Sequence, residues 1–258
     1  MSLGHRALVT GASRGIGRAI AVELGARGLP LVLSSRSAAD LAETSRLVVA
    51  GGGATPLLLE ADLSRREEST ALLARAAKDG GAPDIVVHVA GVAPSSKTVE
   101  AADKDWDLAM EINATAAFVL CRAAIPHMIH QQWGRIVVVA STAGRIGYPY
   151  TAAYTASKHA VVGLVRALAV EHARYGITVN AACPGFTETN LLDDAVRNIV
   201  NRTGVTPDEA KRRLAGMSPQ QRLIQPAEIA QLVAFLASDE AASINGQAVN
   251  IDGGAVTT

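Results

Sequence analysis

Seven short runs rich in Val, Ile and Leu, each followed by a stretch of helical length, constrain this chain more than any other feature. "RALVTG", "PLVLSSR", "ATPLLLEADL", "PDIVVHVAG", "GRIVVVAST", "GITVNAACPG" and "GQAVNIDGG" come in that order. Runs this apolar suit strands covered on both faces. Strands that alternate with helices imply a parallel sheet between two helical layers. Right-handed crossovers then give a doubly wound, Rossmann-like α/β fold. Hydrophobic residues make up 49% of the chain and aromatic residues only 3%, so the core must be aliphatic. No repeat or linker interrupts the alternation, and one α/β domain over 1–258 is expected.

Helices are predicted from about Gly15 to Arg27, from near Ser37, from Ser64 to Lys78 and from Asp103 to His130. The stretch 186–224 breaks the rhythm, being long, polar and charged. In it "TPDE" puts Thr206 at an N-cap, Pro207 at the first helical position and Glu209 at the third, a capping box. A long excursion after the carboxyl end of a strand, where open α/β sheets bind ligands, reads as a lid.

Lys plus Arg and Asp plus Glu number 24 each, which argues against the basic footprint of a nucleic-acid partner. No uninterrupted apolar run reaches the roughly 18 residues of a membrane span, and the N-terminus has no signal-peptide pattern. Cys121 and Cys183 stand alone, without metal-ligand spacing, as buried thiols of a reducing compartment would. The expectation is a soluble cytoplasmic protein without metal or membrane partner.

"VTGASRGIGRAI" sets Gly11, Gly15 and Gly17 between the first strand and the first helix. Such a turn lets backbone approach a pyrophosphate, and the helix N-terminus offers amides and partial positive charge. The second strand ends at Ser35, with Arg36 next and Asp40 further on. A carboxylate at the strand end would bond a ribose 2′-hydroxyl and repel a 2′-phosphate, whereas Ser35 and Arg36, with Arg14 in the turn, suit the phosphate. NADP(H) is therefore expected, with NAD(H) possible. In "AAYTASKHAVVGL", Tyr154 and Lys158 are four residues apart, on one face of a helix.

Together these features resemble the compact, non-extended branch of the short-chain dehydrogenase/reductase family, along nearly the whole chain. "TGASRGIG" is similar to its cofactor turn, which adds Ser13 and Ile16 to the candidate contacts. "AD" with Leu63 resembles the adenine segment, so Asp62 and Leu63 join them. Ala90 and Gly91 of "HVAG" match a close approach to the cofactor. "ACPGFTET" resembles the segment flanking the nicotinamide, with Pro184, Gly185, Thr187 and Thr189. Asn113, Ser141, Tyr154 and Lys158 match the catalytic tetrad, and Ser141 stands thirteen residues before Tyr154, the family's usual spacing.

The resemblance implies that Ser141 holds the substrate carbonyl oxygen and Tyr154 gives the proton. Lys158 is expected to lower the Tyr154 pKa and to bond the nicotinamide ribose, and Asn113 to hold a relay water. It also implies a homotetramer. The helices from Asp103 to His130 and Tyr154 to Tyr175 carry apolar residues on more than one face, for example Val161, Val162, Leu164, Val165, Leu168 and Val170; one face must cover the sheet, and in the family the two helices form the dimer. The closest resemblance is to β-ketoacyl reductases and polyketide ketoreductases, which makes a 3-oxoacyl thioester or related ketone the expected substrate. Gln132 and Tyr175 stand where carrier-docking arginines are usual, with Arg135 and Arg174 close by. Ala93 and Ala143 stand where 3-hydroxybutyrate dehydrogenases have polar residues. His88 departs from the family's asparagine and is expected to be structural. A non-catalytic NADP(H) sensor and an extended-branch epimerase are the other classes considered.

Overall fold

The seven predicted strands form one parallel sheet in the computed structural model, which describes residues 4–257. They are β1 (Ala7–Thr10), β2 (Leu31–Ser35), β3 (Leu57–Glu60), β4 (Ile85–His88), β5 (Gly134–Val139), β6 (Ile177–Pro184) and β7 (Ala248–Ile251). Their order, β3-β2-β1-β4-β5-β6-β7, reverses direction between β1 and β4. Loops diverge at this switch point, and a crevice opens beyond the carboxyl ends of the strands. The central strands β1, β4, β5 and β6 are buried throughout, which explains their unbroken apolar runs.

Helices α1 (Gly15–Ala26), α2 (Ala38–Ala50), α3 (Arg66–Lys78), α4 (Asp103–Ala109), α5 (Ala116–Gln131), α6 (Ala152–His172), α7 (Asn190–Thr203), α8 (Pro207–Ala215) and α9 (Pro226–Leu236) complete the chain. One face of the sheet packs Leu72, Leu120, Met128, Val161 and Val165. The other packs Ile20, Leu24, Leu41, Ile229 and Val233.

Four local features differ from expectation. Helix α3 starts at Arg66 rather than Ser64, because the Asp62 carboxylate accepts from both the Ser64 amide (3.0 Å) and its hydroxyl (2.8 Å), holding that turn outside the helix. The long helix after β4 is divided by a π-helical turn, Met110–Thr115, between α4 and α5. The helical stretch Asp103–Gln131 is also long and apolar enough to cross a membrane, but its apolar side lies in the core. Lastly, only half of the predicted capping box forms. Thr206 Oγ1 accepts from the Glu209 amide at 3.3 Å, while the Glu209 carboxylate turns to Arg212 and Arg213. The reciprocal contact appears at α9 instead, where Glu228 accepts from the Gln225 amide at 2.7 Å. Arg222 also grips that carboxylate, and these donors hold it at about 2.

The stretch 186–224 builds α7 and α8 over a core of their own. Leu192, Val196, Ala210 and Leu214 are buried together, with Phe186, Ile199, Val200, Val205 and Leu223 against them. Most apolar residues of this stretch thus pack on one another, and Leu191 and Met217 stay exposed. The long helices α5 and α6 divide their apolar residues between the sheet and the surface. Val161, Val162, Val165 and Leu168 are buried against this chain's own sheet, whereas Val170 is 84% exposed and Trp106, Leu108 and Phe118 are also open.

Candidate active site

The glycine turn joins β1 to α1 at the switch point. Gly11 has φ +64°, a left-handed conformation that side chains rarely adopt. A Cβ on Gly17 would sit 2.1 Å from the Gly11 carbonyl oxygen, so turn and helix pack without room for a side chain. Arg14, exposed at the N-cap of α1, makes no side-chain bond to the first helical amides, so Gly15, Ile16 and Gly17 begin a helix that no side chain caps. An uncapped helix start behind a side-chain-free turn fits the pyrophosphate of a dinucleotide.

A buried brace that the sequence did not reveal holds this turn. Thr44 of α2 donates to the Ala12 carbonyl at 2.9 Å, and Arg18 bonds both the Thr44 hydroxyl and the Ser13 carbonyl. Beside it, Ser35 Oγ accepts from the Ser37 amide (3.2 Å), and Arg36 is exposed. Burial opposes ionisation of Asp62, but the Ser64 bonds and the nearby charges of Arg36 and Arg65 hold its carboxyl below the ordinary value. Leu63 is buried in the core, so only its main chain can face a ligand. Ala90 and Gly91 follow β4 and pack on the turn, for a Gly11 Cβ would lie 2.7 Å from the Ala90 nitrogen.

The four tetrad candidates converge at the carboxyl edge of β4, β5 and β6. Ser141 follows β5, its hydroxyl accepts from the Ala143 amide at 3.1 Å, and it lowers the pKa of the Tyr154 phenol. Lys158 is 4% exposed; its Nζ donates to the Val139 carbonyl at 2.9 Å and lies 5.8 Å from the Tyr154 ring centroid. Asn113, on the π-helical turn, is fully buried. Its Nδ2 donates to the Val92 carbonyl and to Ser157 Oγ, and its Oδ1 accepts from the Val92 amide, all at 2.9 Å. A Cβ on Gly91 would lie 3.0 Å from Asn113 Oδ1 and 3.5 Å from Lys158 Nζ, so Gly91 packs closely against both.

The electrostatics depart from expectation at one point. Burial pushes the Tyr154 phenol above the ordinary tyrosine value, and Ser141 offsets only part of that. Burial also brings Lys158 down to about 8. Desolvation outweighs the attraction of an ammonium that spends a bond on Val139. Both Asn113 amide protons are also spent, so a relay water would have to meet its remaining Oδ1 lone pair or its main chain.

On the far side, Pro184 ends β6 and the Gly185 amide donates to the Ile251 carbonyl at 3.1 Å. Thr187 bonds the Gly185 carbonyl (2.9 Å), and Thr189 stands at the N-cap position of α7 without a side-chain cap bond, near Gly15, whose added Cβ would meet the Thr189 methyl at 3.2 Å. A cleft beside them is lined by Tyr148, Phe186, Leu214, Met217 and Arg222. Tyr148 donates to Thr142 Oγ1 at 3.0 Å and meets the Phe186 ring edge-on. No spacing in the sequence pointed to Tyr148, Thr142 or Ser157. Arg135, weighed as a docking cation, is buried and donates to the Ser238 and Gly176 carbonyls. Among the described residues no cluster of His, Cys, Asp or Glu could hold a metal.

A family model described as enoyl-(acyl carrier protein) reductase matches residues 11–256. The chain is 36% identical to a D-beta-hydroxybutyrate dehydrogenase of Cupriavidus necator, over 97% of both chains. It is 38% identical to a putative ketoacyl reductase of Streptomyces coelicolor, over 96% of this chain and 95% of that one. The solved structure of an actinorhodin polyketide ketoreductase variant with NADPH superposes with a TM-score of 0.93 at 37% identity, covering 97% of each chain.

Proposed function

The chain belongs to the short-chain dehydrogenase/reductase family, and on that premise we propose that it reduces a 3-oxoacyl thioester with NADPH, through Asn113, Ser141, Tyr154 and Lys158. It is an enzyme that interconverts a ketone and a secondary alcohol. The observation that carries the reading is buried Lys158, its Nζ 5.8 Å from the Tyr154 ring centroid and beside Asn113 and Gly91 at the switch-point crevice. When bound, the nicotinamide supplies the hydride. Ser141 holds the carbonyl oxygen, and Tyr154, kept protonated by its raised pKa, gives that oxygen its proton. Lys158 would hold the cofactor ribose and carry the charge that balances the developing alkoxide.

The cleft supports a neutral acyl group rather than a free carboxylate. Ala93 and Ala143 stand where 3-hydroxybutyrate dehydrogenases would have polar residues, and the guanidinium of Arg222, on the cleft wall, is paired with Glu228 through two 2.7 Å bonds. With NADPH, 3-oxobutyryl thioester is expected to react with a kcat/KM about tenfold or more above that of free 3-oxobutyrate, since a carboxylate there lacks a partner. Preference for the free acid would overturn the substrate assignment.

Arg36, Arg14 and Ser35 support NADP(H), and a relative in structure was solved with NADPH. An arginine bond to the 2′-phosphate contributes about 1.5–3 kcal/mol, so NADPH is expected to bind roughly tenfold to a hundredfold tighter than NADH. Equal affinities in a fluorescence titration would contradict this. The open apolar residues of α4, α5 and α6 support a homotetramer of single-domain subunits, each with a lid at about 186–224. Two unpaired, buried cysteines support a cytoplasmic location.

A further inference from the structure

His88 is buried, titratable and unused by the chemistry above. It ends β4, and its two ring nitrogens reach in different directions. Nδ1 lies 3.0 Å from Thr10 Oγ1, the side chain just before Gly11. Nε2 lies 3.3 Å from the main-chain carbonyl of Ile112, the residue just before Asn113 on the π-helical turn. We propose that His88, as the neutral Nε2–H tautomer, is a positioning residue that ties the cofactor turn to the Asn113 turn.

The tautomer follows from the partners. A carbonyl oxygen only accepts, so Nε2 must carry the proton. Neutral Nδ1 is then an acceptor, and the Thr10 hydroxyl donates to it. The Thr10 oxygen remains free to accept from the Val89 amide at 3.2 Å and the Ala90 amide at 3.5 Å. Every polar group at this junction is thereby satisfied by one proton arrangement. The groups packed on the ring are the Thr10 hydroxyl from β1, the Ile112 carbonyl from the π-helical turn and, through space, the Lys158 charge from α6. Burial and Lys158 oppose a second proton and bring the imidazole down to about 3, so the arrangement persists across the working pH range.

The consequence reaches the tetrad. With the Ile112 carbonyl fixed, Asn113 is held where it spans Val92 and Ser157, beside Gly91 and Lys158. Through Thr10 the same imidazole braces the first residue of the glycine turn. The inference rests on the ketone-reductase reading, but it has its own test, because removing Tyr154 tests the chemistry and leaves this junction intact.

His88→Leu removes both contacts, while His88→Gln keeps an amide N–H at the Nε2 position. Loss of positioning is expected to lower kcat for ketone reduction about tenfold or more in the leucine variant, with His88→Gln recovering most of it. A folded His88→Leu enzyme with normal kcat and a lowered Tm alone would reduce His88 to a structural filler and overturn the proposal. Should the leucine variant not fold, the wild-type protein still decides. In a histidine-selective 15N spectrum, the resonances lost in His88→Gln should show the neutral Nε2–H pattern, unchanged from pH 6 to 8. An Nδ1–H tautomer or an imidazolium there contradicts the assignment.

Discussion

Tyr154→Phe is expected to lower kcat for ketone reduction by about 10²–10⁴ while NADPH still binds. The substitution keeps the ring and removes only the phenolic hydroxyl. Lys158 Nζ, the nearest ammonium, is turned to the Val139 carbonyl. Because burial holds the phenol above the usual tyrosine value, the wild-type acid stays protonated through neutrality, and ionised Tyr154 limits reduction only at alkaline pH. A Phe variant with turnover near that of the wild type would sink the acid role.

The second large effect concerns the lid. Met217, Phe186 and Leu214 reach the cleft, while Leu192, Ile199 and Val200 are held within the lid's own packing. Lengthening the 3-oxoacyl chain should raise kcat/KM by roughly 0.8 kcal/mol for each methylene buried, about tenfold for two. Since few apolar side chains are available, the gain should level off after a few methylenes. The lid should also lose backbone hydrogen exchange across residues 190–217 when NADPH and a substrate analogue are both present. Unchanged exchange together with indifference to chain length would make α7 and α8 surface decoration.

What the sequence disclosed was local. Apolar runs marked the strands, the glycines marked the turn, and Tyr154 with Lys158 marked a helix face, because each depends on residues a few positions apart. What it hid depends on distant partners. His88 meets Thr10 across 78 residues, Asn113 meets Ser157 across 44, and Thr44 braces Ala12 across 32. The π-helical turn has no composition of its own, and its place in the long helix was invisible. Charge proximity also misled. Tyr154 and Lys158 share a face as expected, yet how deeply each is buried, which no spacing encodes, sets their pKa values. The apolar residues of the lid were legible as apolar, but not as partners of one another.

The central claim is that this crevice performs hydride and proton transfer rather than only holding a nucleotide. NADPH binding by fluorescence and nicotinamide absorbance during incubation with a panel of ketones and 3-oxoacyl thioesters, on one preparation of the wild-type enzyme, test it together. Tight NADPH binding is expected, with a loss of nicotinamide absorbance that depends on substrate and is fastest with the thioesters. Tight NADPH binding with no turnover of any ketone or thioester would contradict it and leave a nucleotide sensor on a reductase fold.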